Sequence, residues 1–340
     1  MNKLGLDLFS LRSQGWSPFE LLDFCSRNGA QIAHFSEPRF LGSLDEENLK
    51  KVKAHADDLG LGIEVGFGSI CPTSTRFNPK EGTAPDQLRR MLFVARTLGS
   101  PIVRCYLGSM ADRSTAVPLE RHIDNVVAVC QAVAADFEGS GVKIAIENHA
   151  GDLQALELRD LIERAGNEHV GALVDAGNAA WTLEDPLHTL ETLAPYAVTT
   201  GVRDARIWET ADGADVMWVP LGDGNIDIRR WYDRLRELRP DLPFALEIIH
   251  TRGPRSFPYK QPEFWQAYRD VPAWVFAGYL RLARSGEAYE GFEPAPVSRE
   301  QDPEAFQRWA VEQERRDVER DLAFCRQELG LGTAVSEPKG

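Results

Sequence analysis

Three carboxylates in this chain sit in sequence that should bury them: Glu147 in "AIENH", Asp175 in "LVDAGN" and Glu247 in "ALEII". Burying a lone ionised carboxylate costs several kcal/mol unless a cation compensates it. If all three converge, their mutual repulsion makes a divalent ion the simplest compensation. An all-oxygen donor set then favours Mn²⁺, Mg²⁺ or Co²⁺ over a thiolate-loving metal. The alternative is that each carboxylate pairs separately with an arginine or a backbone amide. The stretch "IAIENHAGD" (144–152) poses the question most sharply, because an apolar run built for a core finishes in Glu147, Asn148 and His149.

Convergence depends on the elements that carry these residues. Short β-rich runs at 4–10, 31–36, 61–67, 101–107, 143–149, 171–177, 197–204 and 244–250 alternate with amphipathic helical patterns at 17–29, 45–59, 86–98, 117–137, 155–165, 185–194 and 226–238. Parallel strands need helical crossovers, and eight such units predict an α/β fold, a closed (β/α)8 TIM barrel, over a doubly wound sheet. No G-x-G-x-x-G follows the first strand, which disfavours a nicotinamide oxidoreductase. Active sites of such barrels lie at the carboxyl ends of the strands. That is where Glu147, His149, Asp175 and Glu247 fall, together with Phe35, Arg104 and Arg203. Glu37 and Glu64 rank as hydrogen-bonding candidates, and Trp16, Trp181, Trp218 and Phe35 as rings that could stack on a sugar.

The barrel is expected over residues 1–252. Residues 253–330 read as an aromatic segment followed by helices near 272–285 and 303–329 that pack on the barrel, and 331–340 as a disordered tail. The formal charge of -14, from 52 acidic and 38 basic residues, repels phosphate backbones and argues against nucleic acid as a partner. No apolar run approaches the ~18 residues that span a bilayer, and the first residues lack the pattern of a signal peptide. A cytoplasmic protein without a membrane partner is the expectation. The five cysteines are scattered and read as small buried hydrophobes.

Taken in order, "IENH", "LVDAGN", a seventh-strand "RDA", "VPLGDGNIDI" and "LEII" resemble the xylose-isomerase-like TIM barrels, the sugar phosphate isomerase/epimerase superfamily, over about residues 3–285. Within it, "VPLGDG", "LEII" and the aromatic stretch after them look most like C-glycoside deglycosidase catalytic subunits and 3-keto-glycoside lyases. The resemblance implies one divalent metal, Mn²⁺ before Mg²⁺ or Co²⁺, on Glu147, Asp175 and Glu247. It departs in one place: the family's seventh-strand histidine ligand is Gly201 here. His250 is a candidate substitute, although strand alternation points it away from Glu247.

The resemblance also implies a metal-dependent isomerase or epimerase that removes a proton beside a carbonyl through an enediolate, with Glu147 and Glu247 as acid and base. In the alternative lyase reading His149, whose ordinary pKa suits neutral pH, is the base, and a small second subunit joins the chain. Arg104, Arg203, Phe35 and Trp181 are then the substrate-binding candidates, for a sugar or glycoside. A homo-oligomer is a further expectation. Two other classes stand beside these. A metal-dependent apurinic endonuclease shares the barrel, but the -14 charge and the seven histidines, four of them (His55, His122, His169, His188) in or beside helical segments, disfavour it. The other is a non-catalytic sugar-binding or partner-binding barrel that lost its metal with the histidine at 201.

Overall fold

The computed structural model describes residues 2–333. Eight parallel strands form the inner sheet: β1 (Leu4–Asp7), β2 (Ile32–Phe35), β3 (Gly62–Ser69), β4 (Ile102–Tyr106), β5 (Lys143–Glu147), β6 (Val170–Asp175), β7 (Ala197–Gly201) and β10 (Phe244–Leu246). They pair in the order β10-β1-β2-β3-β4-β5-β6-β7, and the ring closes where Val202, just past β7, bridges Leu246. The closure is made by the Val202 N–H on the Ala245 carbonyl (2.6 Å) and the Glu247 N–H on the Val202 carbonyl (3.1 Å). These two bonds set the backbone of Glu247 beside that of Arg203. The (β/α)8 barrel expected from the alternating pattern is therefore the observed fold.

The outer layer consists of α1 (Pro18–Arg27), α2 (Glu46–Asp58), α3 (Ala84–Leu98), α4 (Leu119–Phe137), α5 (Ala155–Ala165), α7 (Pro186–Leu193) and α8 (Ile228–Leu238), with α6 (Ala176–Ala179) a single turn after β6. Each buries its apolar stripe against the strands; α3 does so with Leu88, Met91, Leu92, Ala95 and Leu98. Most starts are fixed by side chains that accept free N–H groups of the first turn, as where Ser17 and Glu20 form a reciprocal capping box on α1. Seven of the eight inner strands end before their predicted runs do, β1 at Asp7 and β10 at Leu246, while β3 runs on to Ser69.

One element was not anticipated. Between β7 and α8 the chain forms an antiparallel hairpin, β8 (Asp204–Glu209) and β9 (Ala214–Val219), joined by β11 (Arg255–Phe257) from the aromatic segment. Residues 255–257 of that segment thus pair with the hairpin that follows β7. After it come α9 (Ala273–Ser285) and α10 (Pro303–Glu328). The second of these is tied to the barrel by Glu314, which accepts from Ser13 N and Oγ (2.8 Å each), and by Asp321, which accepts from Leu221 N (3.1 Å). Disorder does not begin at 331 as expected, since Leu331 is buried and Thr333 N donates to Gly29 O (3.0 Å). The rest of the predicted tail, 334–340, lies outside the described residues. No helix among the described residues is long and apolar enough to cross a membrane.

Candidate active site

The carboxyl ends of β4, β5, β6 and β10 open on a cleft of about 330 Å³. Glu147 is the last residue of β5 and Asp175 the last of β6, while Glu247 follows β10 directly. All three are buried, and one oxygen from each lies within 4.8 Å of the others. The β5 and β6 ends are held level by Asn148, whose amide accepts from Asp175 N (2.8 Å) and donates to Asp175 O (2.9 Å). Asn178 extends the framework: its backbone N–H donates to Asp175 Oδ1 (2.7 Å) and its side chain to Glu147 Oε1 (3.0 Å).

Two buried arginines enter the same space. Arg104 donates through Nε to Glu147 Oε2 (2.6 Å) and through Nη1 to the Phe67 carbonyl (3.1 Å). Arg203 donates through Nε to Asp175 Oδ2 (2.8 Å) and through Nη2 to Glu247, and this same Nη2 lies 3.9 Å from Glu147 Oε1. A single guanidinium nitrogen therefore stands within 4 Å of all three carboxylates. The guanidinium lies over the Trp218 ring at 4.5 Å. Its path is open only because residue 177 is glycine, since a Cβ there would overlap Arg203 Cγ. Burial opposes charge on Arg203, but Asp175, Glu247 and Glu147 outweigh it and hold its pKa above the ordinary value. Burial pushes the Asp175 carboxyl up; Arg203 opposes the rise, and Glu147 and Glu247 add to it.

His149 borders the cleft and stacks on Tyr106 at 3.8 Å. Its Nδ1 faces the Gly108 carbonyl at 2.7 Å; a carbonyl only accepts, so Nδ1 carries the proton and Nε2 is left as an acceptor. The loop that presents it is knitted by Asp152, which accepts from His149 N (2.8 Å) and Gly108 N (2.9 Å), and it turns through Ala150 at φ 43. Burial, then the Arg104 charge, lower the His149 pKa to about 3. The sequence-based premise that this imidazole titrates near neutrality is corrected, because the ring is neutral at physiological pH.

The other predicted positions divide. Arg104, Arg203, Trp181, His149 and Glu247 line the cleft; Glu147 and Asp175 lie beneath the two arginines. Phe35 does not reach the cleft. It is fully buried in the hydrophobic core, and Phe9 stands at the mouth instead. Trp218 stacks on Trp181 at 4.4 Å, whereas Trp16 packs on Phe24 away from the site. Glu64 accepts from Thr199 Oγ1 (2.8 Å) inside the barrel, and burial pushes its carboxyl up to about 7. His250 turns toward α10, with Nδ1 3.7 Å from Asp317 and Nε2 3.5 Å from Asp321, so it does not replace the histidine missing at Gly201. Sequence reasoning placed Asn178 after the sixth strand, in "LVDAGN", without giving it a role, and missed Tyr106, Arg76, Arg252 and Arg255 as cleft residues. Asn178 alone carried a signal, as the first side-chain donor after "VDAG".

The acidic triad has the composition and spacing of a divalent-metal site. Oxygens around one ion at ~2.2 Å lie up to ~4.4 Å apart, so a spread of 4.8 Å closes with small side-chain shifts. The centre is now held by Arg203 Nη2, a cation in the place where a metal would bring its charge. The donors would fit a divalent ion if that guanidinium gave up the centre.

Residues 22–268 match the description of the xylose isomerase-like TIM barrel. The chain belongs to that family. A curated relative, the 3-oxo-isoapionate decarboxylase of Pectobacterium atrosepticum, is 24% identical over 232 residues, 67% of this chain and 75% of that protein. A D-psicose 3-epimerase solved in the presence of D-fructose superposes with a TM-score of 0.61 at 14% identity, covering 96% of this chain and 99% of the other. The IOLI protein solved with a bound zinc atom gives 0.55 at 15% identity, covering 82% and 96%. At such identities the two structures show the shared barrel, and the named decarboxylase and epimerase are enzymes.

Proposed function

We propose that this member of a sugar isomerase/epimerase-like family moves a proton beside the carbonyl of a sugar through an enediolate, with one divalent ion, Mn²⁺ first, held by Glu147, Asp175 and Glu247. The observation that carries the reading is the convergence of these three buried carboxylates on one cationic nitrogen at the floor of a cleft walled by Trp181, Trp218 and Tyr106. Such an ion, when bound, supplies positive charge to the oxygens on which negative charge develops. The zinc atom of the IOLI structure and the sugar named for the epimerase support the assignment.

The chain's own residues divide the work. Glu247, the one carboxylate of the three that borders the cleft, accepts the proton from the carbon beside the carbonyl. Glu147, kept from the cleft by Arg104 and Asn178, holds its position as a ligand and is not the opposing acid. The Arg104 guanidinium lies at the same floor and adds positive charge near the developing enediolate oxygens. His149, proton on Nδ1, presents Nε2 as an acceptor for a substrate hydroxyl and so orients the sugar. Trp181 and Tyr106, each already stacked on a neighbouring ring, wall the cleft with apolar edges that exclude water from the sugar.

Solvent exchange tests the reading. In D₂O with Mg²⁺ and a set of ketoses beginning with D-fructose, proton NMR should show loss of the signal on the carbon beside the carbonyl. The loss should be at least a hundredfold slower in Glu247→Gln. Exchange that persists in that variant would reassign the base.

A further inference from the structure

Building on the sugar-site reading above, we propose that the mouth of the cleft recognises a carboxylate, so that the substrate is a sugar acid, with Arg252 and Arg255 as the residues that select it. The mouth is cationic in a chain whose net charge is -14. Five arginines (76, 104, 203, 252 and 255) and two glutamates (37 and 247) border the cleft. Four of these charges are already satisfied: Arg104 by Glu147, Arg203 by Asp175 and Glu247, and Glu37 by Arg39. What remains is three guanidiniums, and among the described residues Arg76, Arg252 and Arg255 make no ion pair with a carboxylate.

Their surroundings sharpen the point. Arg252 follows β10 by six residues, and besides partial burial the charges of Arg12, Arg203 and Arg76 depress its proton affinity, with Glu247 opposing. Like charges crowded at a rim repel one another, and an anion seated between them relieves that repulsion. Arg255, the first residue of β11, lies with its guanidinium 5.2 Å from the Trp181 ring, which fixes it against the wall of the cleft. Arg76 lies beside Tyr106 and borders the same cleft. The donors available here are planar two-pronged groups, which match a carboxylate and, as a fork, a phosphate too. Phosphate sites draw on free backbone N–H groups at a helix start; here Ser109 N is spent on Asp112 Oδ2 (2.9 Å) and Met110 N on Ala150 O (2.9 Å). A sugar acid would sit with its carboxylate at the rim arginines and its carbonyl over Glu247.

Calorimetric titration of the full chain, with and without saturating Mn²⁺, decides the matter with D-gluconate, D-galactonate and D-glucuronate against D-glucitol, D-galactitol and D-glucose. At least one acid should bind about thirtyfold or more tighter than its neutral counterpart, the scale of charge-assisted hydrogen bonds. Arg252→Gln with Arg255→Gln, both at exposed positions, should reduce that preference below about threefold and leave affinity for the neutral counterpart nearly unchanged. Three results would overturn the assignment: no acid preferred over its counterpart, whether or not any binds; a preference that survives the double variant; or D-glucose 6-phosphate bound more tightly than every acid. Deuterium exchange keeps this apart from the proton-transfer reading. Acid preference without exchange into D-glucuronate or any of the ketoses would retain the carboxylate site and reject that chemistry, and exchange into neutral ketoses without acid preference would do the reverse.

Discussion

Replacing Arg203 with methionine removes the one cation shared by the triad while keeping a long apolar side chain over Trp218. The Arg203 side chain is 2% exposed, and its partners Asp175 and Glu247 are 0% and 10% exposed. Breaking a buried pair by deleting one partner costs about 3–5 kcal/mol, because the other charge stays behind in a poor solvent. Without Arg203, Asp175 keeps only the Asn178 N–H as a side-chain partner and Glu247 loses its guanidinium. Urea unfolding of the metal-free protein at pH 7.5 should therefore show a loss of about 4 kcal/mol. The loss should shrink in acid. A carboxyl whose pKa is raised by folding contributes stability that is present below its unfolded value near 4 and disappears as pH rises through the folded one. The direction of the Asp175 shift, already upward with Arg203 present, sets that sign. Mn²⁺ should restore the variant more than the wild type, since the variant has no guanidinium to displace; at a hundredfold excess over Kd the gain is about 2.7 kcal/mol. A loss under about 1 kcal/mol, or equal Mn²⁺ stabilisation of both proteins, would refute the view that Arg203 holds the place of the metal's charge.

Two further substitutions probe neighbouring parts of the same account. Glu64, raised to about 7 by burial against the opposing Thr199 hydrogen bond, contributes stability below pH 4.5 that is lost as pH passes 7. Glu64→Gln should remove that dependence, so that between pH 5 and 8 the wild type loses up to about 3 kcal/mol relative to the variant in urea unfolding; parallel pH profiles would contradict it. Gly201→His restores an imidazole where the family carries one. A Cβ at 201 lies 3.1 Å from Leu173 Cδ2 and 3.5 Å from Asp175 Oδ2, close enough to require a small shift and near enough to the triad to add a ligand. Mn²⁺ affinity by calorimetry should rise at least about tenfold, because one more protein ligand joins the set; unchanged affinity would place the ion elsewhere.

Much of the barrel was legible because burial and alternation leave a period in the sequence. The carboxylates Glu147, Asp175 and Glu247 stood out for the same reason, as charges at the ends of apolar strands. Hydrophobic pattern failed at β8 and β9. Residues 204–219 carry an Asp-Gly turn at 212–213, but β9 ends in the unbroken apolar run 216–219 and the start of β8 continues the seventh-strand run, so the extra hairpin merged into its neighbour. Phe35 illustrates a second limit. Its place at a strand end suggested the cleft, yet strand alternation sends it to the core and Phe9 takes the mouth. The arginines at 76, 252 and 255 illustrate a third, since each comes from a different loop or edge strand and only tertiary folding brings them to one rim. The His149 pKa belongs with them, because desolvation and the Arg104 charge are properties of the folded site.

The central claim is that Glu147, Asp175 and Glu247 bind one divalent ion despite Gly201 and the intruding Arg203. Elemental analysis of the full chain after Mn²⁺ loading and removal of free ion, beside Glu247→Gln treated identically, tests it most directly. The account predicts about one manganese per chain in the wild type and its loss in the variant. Absence of manganese from both, or equal amounts in both, would contradict it.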